Sequence, residues 1–152
     1  MATPDQGANS TPKHVLIVED NELNLRLLKD ILGIHGYDVV GTGWGSTAVE
    51  LARQCRPAVI LLDIQLPDIS GLEAARQLKA DDLTRMIPII AVTAFAMRGD
   101  ERKVLDSGCD YYIAKPFKLE ELLEAVETFI GRHRQLINPF DAAKSKLERK
   151  IA

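Results

Sequence analysis

Five short apolar runs punctuate the chain, and each gives way to a stretch with helical spacing. The runs are His14-Val-Leu-Ile-Val18, Tyr37-Asp-Val-Val-Gly-Thr42, Ala58-Val-Ile-Leu-Leu-Asp63, Ile87-Pro-Ile-Ile-Ala-Val-Thr93 and Asp110-Tyr-Tyr-Ile-Ala114. Most are rich in β-branched residues and show no polar alternation, which is the pattern of strands buried on both faces. Helices are expected between and after them: about Glu22 to His35, Ser46 to Cys55, Gly71 or Leu72 to Ala80, a segment ending near Ser107, and Leu119 to about Arg132. Strand and helix alternating five times predict a doubly wound α/β fold, a parallel sheet with helices on both faces.

Local signals fix the ends of several helices. Asn21 is suited to cap the first and Ser46 the second, Gly36 and Gly108 follow the first and fourth, and Arg56-Pro57 closes the second. On a wheel of about 100° per residue, the first helix carries two apolar arcs. Leu25, Leu28, Ile31 and Leu32 form one; Leu23, Leu27 and Ile34 form the other. One arc must face the sheet. The other either packs against a neighbouring helix or stands exposed as a docking surface.

The polar residues gain meaning from where they fall. Glu19 and Asp20 follow the first strand, Asp63 the third, Thr93 ends the fourth, and Lys115 follows the fifth. In a doubly wound parallel sheet ligands bind at the carboxyl edge, so these positions converge in one crevice. Taken singly, each has a plain structural reading: an acidic pair compensates a helix dipole, a strand-end Thr is structural, and Lys-Pro is loop. Together they form a set of hard oxygen donors suited to Mg²⁺, with an ammonium and a hydroxyl beside it. Such a site complements a phosphoryl group delivered to a carboxylate, and the central Asp63 is the expected nucleophile.

Composition leaves this picture intact and narrows it. The 152 residues, 46% hydrophobic and 27% charged, suffice for one domain with a real core. Net charge is −3, but residues 131–152 hold six Lys/Arg against two acidic residues, so that end is +4 and residues 1–130 are −7. No apolar run approaches the roughly 18 residues of a membrane span, and no secretory signal pattern opens the chain, so a cytoplasmic location is expected. Cys55 and Cys109 lack metal-ligand spacing and read as small buried residues. Residues 1–12 are expected to be a disordered leader, and 133–152 a basic tail. Within that tail Asn138-Pro139 is a good helix start, and Phe140, Ala143, Leu147 and Ile151 fall on one stripe among Lys144, Lys146, Arg149 and Lys150.

Glu19-Asp20, Leu-Leu-Asp63 with Pro67 and Gly71, Thr93-Ala94 and Lys115-Pro116 together resemble the signature of a two-component response regulator receiver domain, over residues 13–132. Within the family they are most similar to single-domain regulators of cell division. The resemblance implies a flavodoxin-like five-stranded sheet in the order 2-1-3-4-5 with five helices. It implies that Asp63 accepts phosphate from a histidine kinase, and that Asp20 and Asp63 ligate Mg²⁺ (or Mn²⁺), with Glu19 holding a metal-bound water and the Gln65 backbone carbonyl completing the set. Thr93, Ala94 and Lys115 would bind the phosphoryl group, beside a cis peptide at Pro116, and Thr93 and Tyr112 would form a switch pair. Where the family often has Asp, this chain has Glu19, which keeps the charge. The implied partners are histidine kinases and phosphatases, with neither nucleic acid nor membrane contacted directly, and the chain a monomer or weak dimer.

A kinase presenting phosphohistidine to Asp63 must lie against the carboxyl edge, which makes Asn21, Leu23, Asn24, Leu27 and Phe117 candidate docking residues. Two other function classes fit less well. A phosphatase using Asp63 as nucleophile wants an acid/base carboxylate two residues on, where Gln65 stands. A flavin carrier of the same topology wants a phosphate cradle after the first strand, where Glu19, Asp20 and Glu22 would repel one.

Overall fold

The computed structural model describes residues 14–94 and 100–137, the backbone alone at 100 and 132–137. The leader, the segment 95–99 and the tail from 138 onward lie outside the described residues. Strands β1 (His14–Val18), β2 (Asp38–Thr42), β3 (Val59–Leu62), β4 (Ile89–Thr93) and β5 (Tyr111–Ala114) alternate with helices α1 (Glu22–Ile34), α2 (Gly45–Cys55), α3 (Gly71–Ala80), α4 (Asp100–Asp106) and α5 (Leu119–Ile137). All strand pairings are parallel, in the order β2-β1-β3-β4-β5. The fold expected from the sequence is therefore the one observed, and α5 continues about five residues past the expected end near Arg132.

Period-two alternation splits the core into two layers. Val15, Ile17, Val59, Leu61, Ile90, Val92 and Ile113 pack with α1 and α5, while Leu16, Val18, Ile60, Leu62, Ile89 and Ala91 pack with α2, α3 and α4. β1, β3 and β4 are apolar on both sides because helices cover both faces, each full Val, Leu or Ile burial adding about 1.5–3 kcal/mol. The first arc of α1 supplies the contact with the sheet, through Leu28 and Leu32 with Leu25 partly buried. Its second arc lies in solvent: Leu23 is 78%, Leu27 58% and Ile34 82% exposed. That decides between the two readings of the arc in favour of exposure.

Asn21 caps α1 as expected, its side chain accepting from Asn24 N–H at 3.0 Å, and Gly36 follows at φ 90°, a backbone region that favours glycine. Ser46 does not cap α2. The cap position is Trp44, which makes no side-chain cap bond, and the free amides of the first turn are satisfied from a distant loop. Asp68 accepts from Gly45 N–H at 2.8 Å, Ser46 N–H at 2.9 Å and the Ser46 hydroxyl at 2.6 Å. These bonds hold the Asp68 carboxyl well below the usual carboxylate range.

Candidate functional site

The loops after β1, β3, β4 and β5 meet at the carboxyl edge of the sheet, and there the chain brings its charged residues together. β1 ends directly in Glu19, whose amide donates to Thr42 O at 2.9 Å and whose side chain is 4% exposed. Asp20, next in line, is exposed. β3 ends in Asp63, 7% exposed, its amide donating to Val18 O at 3.0 Å and thereby tying the first and third strand ends. Oxygen atoms of Glu19, Asp20 and Asp63 lie within 4.8 Å of one another.

Lys115 enters this cluster from the far side of β4. Its ammonium donates to Glu19 Oε1 at 2.7 Å and to Asp63 Oδ2 at 3.1 Å. Each carboxylate uses its second oxygen on the backbone: Glu19 Oε2 accepts from Asn21 N–H at 3.1 Å, and Asp63 Oδ1 from Gln65 N–H at 3.0 Å. Burial pushes the Glu19 carboxyl up, with the nearby Asp63 charge adding to it and the bonds from Lys115 and Asn21 only partly offsetting them. Burial alone would lower Lys115, but the two carboxylates it touches outweigh that and raise it. The ammonium is thus firmly charged, and it lies between two nearly buried acids that would otherwise repel each other.

The backbone behind Asp63 is packed against Gly71. A Cβ at Gly71 would sit 2.3 Å from Asp63 O and 2.6 Å from Ile64 Cα, and Gly71 N–H donates to Ile64 O at 2.8 Å. Only a residue without a side chain lets the β3–α3 loop fold back this tightly. The Lys115–Pro116 peptide is cis.

Thr93 is fully buried, and the alternation along β4 places it on the same sheet face as Ala91. Ala91 pairs with Tyr112, which packs partly buried against the same layer, so Thr93 and Tyr112 are diagonal neighbours on that face. Ala94 is exposed beside Lys115 along the wall of a cavity of about 510 Å³. Glu19 and Lys115 form its polar end, and Leu27, Leu28, Ile31, Phe117 and Leu119 its apolar wall. Of the docking candidates, Asn24, Leu27 and Phe117 line this cavity; Asn21 and Leu23 do not, although both are exposed on the same helix start. The Gln65 residue is exposed.

The donors fit a hard divalent cation. All three acidic side chains offer oxygen, one of them open to water, which is what Mg²⁺ requires of a site that leaves it several waters. This cluster can hold a metal ion.

A family model for the response regulator receiver domain matches residues 15–127. The chain belongs to the response regulator receiver domain family. Among curated proteins, it is 50% identical over 120 residues to the polar-differentiation response regulator DivK of Brucella anthropi, covering 79% of this chain and 98% of that protein. DivK of Brucella ovis is 48% identical, over 78% of this chain and 97% of its own. Among solved structures, the receiver domain of the sensor histidine kinase PA1611 from Pseudomonas aeruginosa, which has magnesium coordinated in its active-site cleft, is 38% identical with a TM-score of 0.74, over 80% of this chain and 99% of that one. A CheY-like receiver domain protein from Methanospirillum hungatei is 30% identical with a TM-score of 0.75, over 82% and 98%. Receiver domains take part in two-component signalling, and this chain is one of them. Among the described residues no helix is long and apolar enough to cross a membrane.

Sequence reasoning missed one feature near the site: Asp68, whose partners on α2 are 22 and 23 positions away and leave no local signature. The cavity between α1 and the loop after β5 lies where the docking candidates Asn24, Leu27 and Phe117 are expected.

Proposed function

We propose that Asp63 is the phosphoacceptor of this receiver domain, taking a phosphoryl group from the phosphohistidine of a histidine kinase. The observation that carries the reading is the Lys115 bridge between Glu19 and Asp63 within a cluster of three carboxylates. An Asp63 carboxylate oxygen attacks phosphorus as the P–N bond breaks, and its electron pair returns to the imidazole ring. Lys115 lies within reach of an oxygen on the Asp63 side chain and holds the arriving equatorial charge. Thr93, with Ala94 at the same strand end, offers a hydroxyl and a backbone amide to the remaining oxygens. Asp20 and Asp63 would hold Mg²⁺ (or Mn²⁺), with Glu19 through a water and the Gln65 carbonyl, and the cation would supply neutralisation of phosphoryl charge.

Output is a change in the affinity of the surface for protein partners. Thr93 and Tyr112 couple the modified site to β5 by exchanging the space one vacates for the ring of the other. The match to DivK, which spans nearly all of that protein, supports a role in the control of cell division. Histidine kinases and phosphatases are the partners, meeting α1 and Phe117 in the cytoplasm, with the chain a monomer or weak dimer. Neither nucleic acid nor membrane is contacted directly.

The test is labelling with a phosphorylated kinase in the presence and absence of Mg²⁺. Acid-labile phosphate should appear only with the metal and vanish in Asp63→Asn. Undiminished labelling of that variant would end the assignment.

A further inference from the structure

Residues 42–46 form a splint between the two loops that carry the acidic cluster. Its first part rests on the β1–α1 loop: Thr42 O accepts from Glu19 N–H at 2.9 Å, and a Cβ at Gly43 would lie 3.3 Å from Asp20 Cα and 3.5 Å from Glu19 O. Its last part rests on the β3–α3 loop, residues 63–70. There a Cβ at Gly45 would lie 2.7 Å from Ile69 Cγ1 and 3.3 Å from Leu66 Cδ1. Between these contacts Trp44 N–H donates to Thr42 Oγ1 at 3.2 Å, which folds the splint on itself.

Asp68 fastens the second contact. Its Oδ1 accepts from Gly45 N–H at 2.8 Å, and its Oδ2 from the Ser46 N–H and hydroxyl at 2.9 and 2.6 Å. These donors lie at the positive end of α2, and bonds to an ionised acceptor are the stronger kind. Asp68 stands three residues after Gln65 and five after Asp63, in a loop whose far end is pinned where Gly71 abuts the Asp63 carbonyl. The near end is fixed by Gln65 N–H donating to Asp63 Oδ1 at 3.0 Å. A continuous path therefore runs from Asp20 through Gly43 and Gly45 to Asp68 and back to Asp63. An acceptor at the cap position itself would serve α2 as well. Drawing it from the β3–α3 loop adds a tie between the two loops.

We propose that Asp68 is a positioning residue for the cation site: its clamp on Gly45 and Ser46 holds the loop bearing Asp63 and Gln65 in register with the loop bearing Glu19 and Asp20. The proposal rests on the reading of the acidic cluster as a Mg²⁺ site. A small, hard cation with short oxygen distances tolerates little error in ligand spacing, and groups one layer behind the ligands commonly set roughly 10–100-fold of metal affinity. Such coupling is reciprocal: as the clamp favours the ion, the ion favours the clamp.

Titration of the full chain with Mn²⁺, read from the electron paramagnetic resonance of the free ion, tests this. Asp68→Ala should bind Mn²⁺ at least about tenfold more weakly than the wild type. Asp68 is exposed, so the change opens no cavity in the core, and circular dichroism checks that each variant is folded. Asp68→Asn keeps one carbonyl oxygen and should fall between the two. Ser46→Ala removes one bond of the three and should lose less than Asp68→Ala. Thr84→Ala controls for stability alone. Thr84 is fully buried at the amino edge of the sheet, where its hydroxyl donates to Leu78 O at 2.6 Å, and its loss should leave Mn²⁺ affinity unchanged. In the wild type Mg²⁺ should also slow hydrogen exchange of the Gly45 and Ser46 amides, and in Asp68→Ala it should not. Wild-type affinity in folded Asp68→Ala would overturn the proposal and leave the metal reading intact. So would a loss matched by Thr84→Ala, or amides at Gly45 and Ser46 indifferent to Mg²⁺. Binding that Asp20→Ala does not weaken, or no binding at all, would overturn the metal reading and this proposal with it.

Discussion

The ammonium of Lys115 lies 2.7 Å from the Glu19 carboxylate, although 96 positions separate the two in the chain. With its second bond, to Asp63, this one cation balances two acids that are each less than a tenth exposed. Removing it leaves both buried charges facing each other. Lys115→Met should therefore lower stability by about 2 kcal/mol, the scale of losing a charged hydrogen-bond partner at a partly buried site. Thermal melts with and without Mg²⁺ check this: the metal should stabilise the variant more than the wild type, because Lys115 no longer competes for the same oxygens. Equal melting temperatures without metal would show that the bridge contributes nothing.

Gly71 sets the position of Asp63 from behind. In Gly71→Ala the new methyl meets Asp63 O at 2.3 Å, and backbone cannot yield as a flexible side chain can. The variant should lose about 1–3 kcal/mol, and its folded fraction should be labelled more slowly by the kinase and by acetyl phosphate alike. Unchanged denaturant midpoint and unchanged labelling would mean that the loop relaxes freely.

In the proposed switch, Thr93 would separate acceptance of phosphate from its consequence. Thr93→Ala should still be labelled, while the gain in partner affinity on phosphorylation is lost. Titrating a partner against labelled and unlabelled variant reads this directly. An affinity gain equal to that of the wild type would remove Thr93 from the switch.

Leu27 tests the cavity wall as a docking surface, with Phe117 across the opening. It is 58% exposed, so Leu27→Glu should fold normally. Phosphotransfer from the kinase should slow at least about tenfold, roughly 1.4 kcal/mol of lost transition-state stabilisation. Labelling by acetyl phosphate, which uses only the acidic pocket, should change little. Parallel loss of both reactions would point instead to a packing role for Leu27.

Cys109 gives the pH dependence a sign. Burial pushes its thiol up to about 11, against an ordinary value of 9.0. Its contribution to stability is present below pH 9, where both states hold the proton, and is lost as pH rises toward 11, because the unfolded chain ionises first. The loss attributable to it is about 2 kcal/mol. Denaturant melts of wild type and Cys109→Ala between pH 8.5 and pH 11 should converge as pH rises; parallel curves would contradict the shift.

Strand positions were legible because β1, β3 and β4 are buried on both faces and so read as unbroken apolar runs. Glu19, Asp63, Thr93 and Lys115 were legible for a related reason: the edge of a parallel sheet converts position at a strand's end into proximity in space. Ser46 failed as a cap because a local rule cannot see Asp68, which competes for the same amides from another loop. The exposure of Leu23, Leu27 and Ile34 was undecidable from spacing, since an apolar arc looks the same whether a helix covers it or not. The pairing of Lys115 with Glu19 also left no trace in either segment.

Alternation along β4 turns Val92 toward α1 and α5 and puts Thr93 on the side of α2, α3 and α4. The cavity beside Leu27 and Phe117 belongs to the first side, and the ring of Tyr112 packs on the second. If a kinase docks at that cavity and partners read Tyr112, as proposed above, writing and reading would address opposite sides of a layer one strand thick, and a reader would have no need to evict the writer.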